Sequence, residues 1–532
     1  MRAKKVIKNP ILRGFNPDPS ILRVDDDYYI ATSTFEWFPG VQIHHSKDLV
    51  NWRLLTRPLN RVEQLDMRGV PDSGGIWAPC LTWDDGVYYL LYTIVHELNS
   101  ITKDTPNYLV TADNIMGPWS DPIYLNSSGF DPSLFHDDDG RKWMVNMVWD
   151  HRPWKNSFYG IVLQEYSPTE QSLVGEPRMI FRGTELGCTE GPHLYKRNGY
   201  YYLLTAEGGT SYKHAVTLAR CKNIDGPYRV HPVNPIITSW GDRSLALQKT
   251  GHADLVETQS GDWYMVHLCA RALPGTDRCI LGRETGIQKV VWKDDDWLYT
   301  ESGKNRPQVS ITAPNLRKKE WAQRVVRDDF DTDTLDIDYQ TPRVPLDERS
   351  FSLTERPGYL RLKGGESLQS KFNQVIVARR QQAFCFDALT LLEFQPESFQ
   401  QMAGLVCFYN TGLYHYLYMS VDERAGTCLY VQTAQNGEIR YPLDTAFISL
   451  NNATKIFLRA KMSYDRLTFM YSFDRNEWIR ACDDLDSSIL SDDYSAKWGF
   501  TGNFIGLACQ DLSGQRKHAD FDFLEYLEFD KE

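Results

Sequence analysis

The chain has 532 residues, enough for two or more hydrophobic cores, and is 42% hydrophobic, 24% charged and 13% aromatic, the balance of a soluble globular protein. Its 70 acidic and 58 basic residues leave a net charge of −12, which argues against a nucleic-acid or anionic-membrane partner and suits a neutral substrate. No apolar run is long enough to cross a membrane as a helix.

The chain opens on Met1-Arg2-Ala3-Lys4-Lys5, which is basic, but no apolar stretch follows before Asn9-Pro10. No secretory signal is read there, and a cytoplasmic protein is expected. The ten cysteines are scattered without a C-x-x-C pair, some inside strand-like runs such as Val406-Cys407-Phe408. Buried free thiols are expected, rather than disulfides or a zinc site.

Next comes Gly14-Phe15-Asn16-Pro17-Asp18-Pro19-Ser20-Ile21, which sets a carboxylate between two prolines ahead of the turn Asp25-Asp26-Asp27 and the strand Tyr28-Tyr29-Ile30. The prolines predict an extended backbone at Asp18. Alone, Asp18 reads as a turn residue entering a strand. The layout, however, returns four times. Ala78-Pro79-Cys80-Leu81 turns at Asp84-Asp85-Gly86 into Tyr88-Tyr89-Leu90, and Asp131-Pro132-Ser133-Leu134 turns at Asp137-Asp138-Asp139-Gly140 into Trp143-Met144-Val145. Glu190-Gly191-Pro192-His193-Leu194 is a looser copy before Tyr200-Tyr201-Tyr202, and His252-Ala253-Asp254-Leu255 is a copy without proline before Trp263-Tyr264-Met265.

Five antiparallel units with hairpin turn chemistry and no helical periodicity predict a five-bladed β-propeller over residues 1–304. Radial packing would bring Asp18, Ala78 beside Trp77, Asp131, Glu190 and His252 to one end of the central channel. Three carboxylates that the sequence keeps far apart would then converge. Residues 305–327, with two prolines and the run Arg317-Lys318-Lys319, read as a linker. From 328 to 532 short alternating strands resume, as in Tyr359-Leu360-Arg361-Leu362, and predict a β-sandwich of the jelly-roll kind. The fold class is therefore all-β.

Three acids around a channel mouth with aromatic neighbours suit glycoside hydrolysis. That reaction needs one protonated carboxyl to assist the leaving oxygen and one ionised carboxylate to activate water or attack the sugar. Close carboxyls push one another's pKa values apart and so supply both forms at one pH.

The blocks Asn16-Pro17-Asp18-Pro19-Ser20, Trp77-Ala78-Pro79, Gly129-Phe130-Asp131-Pro132-Ser133 and Thr189-Glu190-Gly191-Pro192 resemble the signatures of glycoside hydrolase family 43. With Ser33-Thr34-Phe35-Glu36-Trp37-Phe38-Pro39-Gly40-Val41 and the late Gly502-Asn503-Phe504-Ile505-Gly506-Leu507, the likeness is to the family's two-domain β-xylosidases and covers essentially the whole chain. It implies exo-acting, inverting release of xylose from the non-reducing ends of 1,4-β-xylooligosaccharides. Asp18 would be the general base, Glu190 the general acid, and Asp131 the residue that orients Glu190 and keeps its pKa up.

The same resemblance implies that Phe35, Trp77 and Phe130 wall the terminal sugar, with Trp149 on the leaving-group side. Core packing is the plainer reading of any one of these rings. Arg283 and Thr210 would contact sugar hydroxyls, a guanidinium fork being suited to that task. His252 matches a histidine near which some relatives place calcium, although one histidine without a cage of oxygens is a thin metal signal. Phe504 would lie on a sandwich loop that closes the propeller mouth. The resembled enzymes are commonly homo-oligomers, and no organic cofactor is implied. α-L-Arabinofuranosidase activity, alone or in the same pocket, is the nearest alternative; a non-catalytic carbohydrate-binding propeller is a remote one.

Overall fold

Aromatic strands joined by tight acidic turns fold into five antiparallel sheets in the computed structural model, which describes residues 5–322, 324–497 and 499–529. The first blade orders Ser20–Val24, Asp27–Thr32, Gln42–Ser46 and Arg53–Thr56 from its inner to its outer edge. The second runs Gly75–Asp84 to Ile123–Asn126, the third Ser133–His136 to Ser172–Phe181, and the fifth Gln248–Glu257 to Leu298–Thr300. The fourth starts at Glu190–Arg197 and carries an extra strand, Ile237–Thr238, paired with Ala215–Cys221. The turn pairs Asp85-Gly86 and Asn198-Gly199 have positive φ at both residues (47° and 86°, 50° and 71°), which matches the right-handed twist of their hairpins.

Each blade draws all its strands from its own segment, so the ring closes by other means. Val6–Lys8 pairs with Ser310–Thr312, and the Asn9 amide donates to the carbonyls of Ile287 and Gln308 at 2.7 and 2.8 Å. Asp254 of the fifth blade accepts from Ser20 Oγ and the Ile21 N–H of the first, at 3.0 and 2.8 Å. These buried bonds tie the ends of the ring together without a shared strand.

The expected linker is not free. Besides its strand at Ser310–Thr312, the Lys319 N–H donates to Asp48 and Trp321 Nε1 to the Asn51 carbonyl, at 2.9 and 3.0 Å. Arg327–Asp328 already pairs with His518–Glu528 of the second domain. Residues 1–4 and 530–532, the expected outer limits of the two domains, lie outside the described residues.

The second domain is a β-sandwich. One sheet is built on Cys385–Glu393, Lys455–Ser463 and His518–Glu528, and the other on Gln401–Asn410, Leu413–Asp422 and Phe504–Asp511. Phe386, Leu392, Leu405, Leu417, Ile456, Phe469 and Phe521 fill the space between the sheets. The outer face of the second sheet is also aromatic: Phe408, Tyr414, Tyr416 and Phe504 join Phe15, Phe35 and Trp37 of the propeller in one buried cluster. Trp37–Phe38 pairs directly with Thr341–Pro342. Two domains that share a core this apolar are held as one body, and the sandwich loops beside it are fixed over the propeller.

Candidate active site

Just before the inner strand of the first and third blades, and at an irregularity inside that of the second and fifth, the backbone turns left-handed. Asp18, Ala78, Asp131 and His252 have φ of 53°, 33°, 57° and 39°. The extended backbone expected at Asp18 is therefore not what forms. A left-handed φ costs a non-glycine residue about 1–2 kcal/mol, and Asp18 is held there by its surroundings. The Ser33 N–H donates to the Pro17 carbonyl at 3.2 Å, and the buried Asp18 carboxylate accepts from Ser33 Oγ at 2.7 Å.

In the fourth blade the left-handed residue is Gly191, with φ 55°, and Pro192 takes the place of Pro19, Pro79 and Pro132. Glu190 thus sits one residue before the repeat position that Asp18 and Asp131 occupy. The displacement has a steric cause: a Cβ at Gly191 would stand 3.0 Å from both Cε1 and Nδ1 of His252. Only glycine fits beside that ring, and the longer glutamate side chain enters from the preceding position.

Asp18, Asp131 and Glu190 meet at one cavity of about 170 Å³, walled by Phe35, Trp77 and Phe130. Trp77 packs edge-on against Phe130, with ring centres 5.3 Å apart. Trp149, Thr210, His252 and Arg283 also line it. Trp149 is fixed by a bond from Nε1 to the Ile101 carbonyl at 2.8 Å, with the Lys103 ammonium 4.7 Å from its ring centre. The structure thus gathers all the sequence-derived site residues except Phe504.

Phe504 is fully buried outside the cavity, stacked on Trp37 at 3.7 Å. Its place in the strand Phe504–Asp511 turns it into the interdomain core. The ring that the sandwich contributes to the cavity is Phe500, four residues earlier on the preceding loop, packed edge-on against Trp77 at 5.5 Å and tilted against Phe35 at 5.9 Å. Sequence reasoning missed Phe500, and also Phe158 and Lys103 at the same cavity. The available signal was strand alternation, which marks Phe504 as a strand residue and leaves Phe500 on the loop between Gly499 and Gly502.

That loop is anchored by buried polar groups. The Phe500 N–H donates to Ser73 Oγ at 3.0 Å, and its carbonyl accepts from Arg283 Nε and Nη2 at 3.3 and 3.1 Å. Upstream, Asp493 pairs with buried Lys249 at 2.8 Å and accepts the Cys279 N–H at 3.0 Å.

Arg283 joins these parts. Its Nη1 donates to Asp18 Oδ1 at 3.2 Å and to Thr210 Oγ1 at 2.8 Å. Its guanidinium carbon lies 5.1 Å from the ring centres of both Phe35 and Phe500. Arg283 is the cation that opposes the repulsion among these three carboxyls, and the charge it leaves uncompensated is expressed in protonation. Glu190 is raised well above the usual carboxylate range, first by burial, then by the charges of Asp131 and Asp18, with Arg283 opposing. Asp131 is pushed up to about 8 by burial and by Asp18, against the pull of the Gly191 N–H, which donates to it at 2.9 Å. The arrangement stores a proton beside an oriented carboxylate.

Burial pushes His252 down to about 4, with Asp18 pulling the other way; its Nδ1 stands 4.0 Å from Asp18 Oδ1. It is a neutral ring at neutral pH. Calcium takes six to eight oxygen ligands, and among the described residues no group of three or more His, Cys, Asp or Glu side chains is arranged to hold an ion.

Known proteins share this architecture and more. Residues 7–298 match the model of glycosyl hydrolases family 43, and residues 327–527 match the β-xylosidase C-terminal concanavalin A-like domain. A β-xylosidase of Bacillus subtilis (strain 168) is 51% identical over 98% of this chain and 99% of its own length. A xylosidase/arabinosidase 43B of Humicola insolens is also 51% identical, over 98% and 97%. The crystal structure of xylan β-1,4-xylosidase from Bacillus halodurans C-125 superposes with a TM-score of 0.97 at 54% identity, covering 98% of this chain and 100% of that one. These matches, over a propeller that brings three carboxyls to one cavity and a concanavalin-like sandwich packed beside it, place this chain in glycoside hydrolase family 43.

Proposed function

We propose that the protein is an exo-acting β-xylosidase that releases D-xylose from the non-reducing ends of 1,4-β-xylooligosaccharides by a single inverting displacement. The observation that carries this reading is the small size of the cavity that the three acids share. Asp18, Asp131 and Glu190 share a space of about 170 Å³ lined in part by Phe500, which is on the scale of one sugar ring. The relatives described above carry xylosidase names, which supports the same substrate.

In this reading Asp18, oriented by Ser33 and Arg283, takes a proton from water as the water oxygen bonds to the anomeric carbon. Glu190, protonated for the reasons given above, hands its proton to the departing glycosidic oxygen as the carbon–oxygen bond breaks. Asp131 maintains the raised pKa of Glu190 and holds the Gly191 backbone beside it. Xylose leaves as the α-anomer, with Asp18 protonated and Glu190 ionised, and solvent resets both. Inversion needs room for water, so the Asp18 and Glu190 carboxyls belong roughly 6.5–9.5 Å apart. Trp149 belongs to the leaving-group side, and Thr210 and Arg283 to the sugar hydroxyls. A homo-oligomer acting in the cytoplasm completes the proposal; that all ten cysteines are unpaired supports the compartment. Among the described residues no helix is long and apolar enough to cross a membrane.

The Humicola insolens relative, named for both activities, favours α-L-arabinofuranosidase as a second activity of the same pocket. Initial rates on paired aryl β-xyloside and aryl α-arabinofuranoside test the ranking, with the xyloside expected to be faster. Asp18→Ala and Glu190→Ala should each lower xylobiose hydrolysis by about 10²–10⁴-fold, and NMR should detect α-xylose first. Unchanged hydrolysis in either variant would overturn the site assignment; β-xylose as the first product would overturn inversion.

A further inference from the structure

A second cavity, of about 720 Å³, opens where the first blade, the segment before Asp18, the linker and the sandwich meet. Its lining includes His44 and Leu54 of the blade, Asn16, Arg324 of the linker, and Arg379 and Tyr526 of the sandwich. Two more arginines stand beside it. Arg57 directly follows the strand that bears Leu54, and Arg380 follows Arg379. They are only 5% and 4% exposed.

Among the described residues the charges here do not balance. Asp338 is the carboxylate that the arginines share, 3.2 Å from Arg324 and 3.6 Å from Arg379. Asp336, exposed on the same turn, adds an attraction to Arg57. Glu528, also in the lining, is engaged by Arg13 at 2.8 Å. His44 contributes none, because burial and the neighbouring arginines hold it well below the usual histidine range; its Nε2 is 2.9 Å from Asn16 Oδ1.

Neutral acceptors satisfy only part of the guanidinium hydrogens. Arg57 Nε donates to the Ile337 carbonyl at 3.1 Å, and Arg380 donates to Gln340 Oε1 at 2.7 Å and Asn16 Oδ1 at 3.4 Å. Arg324 donates to Gln382 Oε1 at 2.7 Å. Both terminal nitrogens of Arg57, and Nε of Arg379 and Arg380, are buried with no hydrogen-bond partner. A carboxyl in such a place can shed its charge by taking a proton, whereas a guanidinium stays charged throughout the physiological range. Four arginines acting on one close carboxylate are only partly compensated, and under-compensated buried charge is unfavourable, so an anion from solution would supply what the described residues do not.

We propose that this interdomain cavity binds a small inorganic oxyanion of the phosphate class, with Arg324 and Arg379 as direct donors and Arg57 and Arg380 supplying charge from behind. Guanidinium forks match the paired oxygens of such an anion. The site would fasten blade, linker and sandwich together through one ligand.

The test titrates the intact protein with inorganic phosphate at constant ionic strength, following Tm and the heat of binding. Binding at one site per chain, with a saturable rise in Tm of roughly a few degrees, is expected. The signal should persist in saturating xylose, which occupies the sugar pocket. Arg324→Gln replaces a side chain that is 39% exposed; it should fold and weaken phosphate binding by about tenfold or more, and Arg57→Gln should do the same if it folds. No saturable binding, binding abolished by xylose, or full affinity retained in Arg324→Gln would each overturn the proposal.

Discussion

Gly191→Ala tests whether the crowding around the fourth inner strand controls the chemistry. An alanine at φ 55° costs about 1–2 kcal/mol in backbone strain alone. Its methyl would lie 3.0 Å from Cε1 and Nδ1 of His252, so that ring has to yield by a few tenths of an ångström. His252 is buried, itself left-handed, and 4.0 Å from Asp18, so its displacement is passed to the base. Gly191 also supplies the N–H held by Asp131. A misplacement of about 1 Å at reacting groups can cost 10²-fold, which puts a shift of tenths near tenfold. Stability should fall by about 1–3 kcal/mol and kcat by about tenfold, while KM changes little because Phe35, Trp77 and Phe500 keep their places. Gly187→Ala is the control: its φ is 70° and nothing lies within 4 Å of the added methyl. It should lose comparable stability from backbone strain and keep its kcat. Urea unfolding and initial rates on an aryl xyloside measure both quantities. If Gly191→Ala matched Gly187→Ala in kcat, the argument from steric transmission through His252 would be wrong.

Other expectations separate residues that lie close together. Phe500→Ala should raise KM about tenfold with a modest effect on Tm, because its ring lines the sugar cavity; Phe504→Ala should instead cost about 3–5 kcal/mol of stability, because its ring is fully buried core. The opposite pattern in paired melting and kinetic data would restore Phe504 to the mouth. Asp131→Asn should lose activity yet gain stability. Its folded pKa, about 8, lies above the unfolded value near 3.9, so the wild type loses stability as pH rises through that window and the variant does not. The Tm gap should therefore widen between about pH 4 and pH 8; a constant gap refutes the linkage. The same substitution removes a charge that raises Glu190, so the basic limb of kcat/KM should move to lower pH in whatever activity remains, and an unmoved limb denies Asp131 its modulating role.

The five blades were legible because each carries the same local physics, a tight turn with a positive-φ residue followed by an aromatic strand, and local physics is what a sequence displays. Asp18 and Asp131 followed from that repetition. Glu190 followed only approximately: reading it as the repeat position overlooked that Pro192 aligns with Pro19, which makes Gly191 the equivalent residue. The clue was present, but its cause, the His252 ring, lies about sixty residues away and cannot be inferred from spacing. The prolines around Asp18 pointed to an extended backbone, and tertiary contacts from Ser33 and Arg283 overrode that local preference. Phe500 was less visible still. Its role depends on how far the sandwich sheet extends before the loop begins, and two phenylalanines four residues apart look alike until one is paired in a strand. The arginine cavity was beyond reach, since its members come from a blade, a linker and a sandwich.

Arg283 has a consequence for how such an enzyme can change. Its side chain touches Asp18, Thr210 and the Phe500 carbonyl, and its own carbonyl accepts the Asn16 N–H. Chain-end selectivity and acid–base chemistry therefore share one residue and cannot drift independently. A lineage that shortened the Phe500 loop to admit mid-chain sugars would also leave two donors of Arg283 without their acceptor, beside the carboxylate that handles the water. Opening the pocket and retuning the base would have to be solved together.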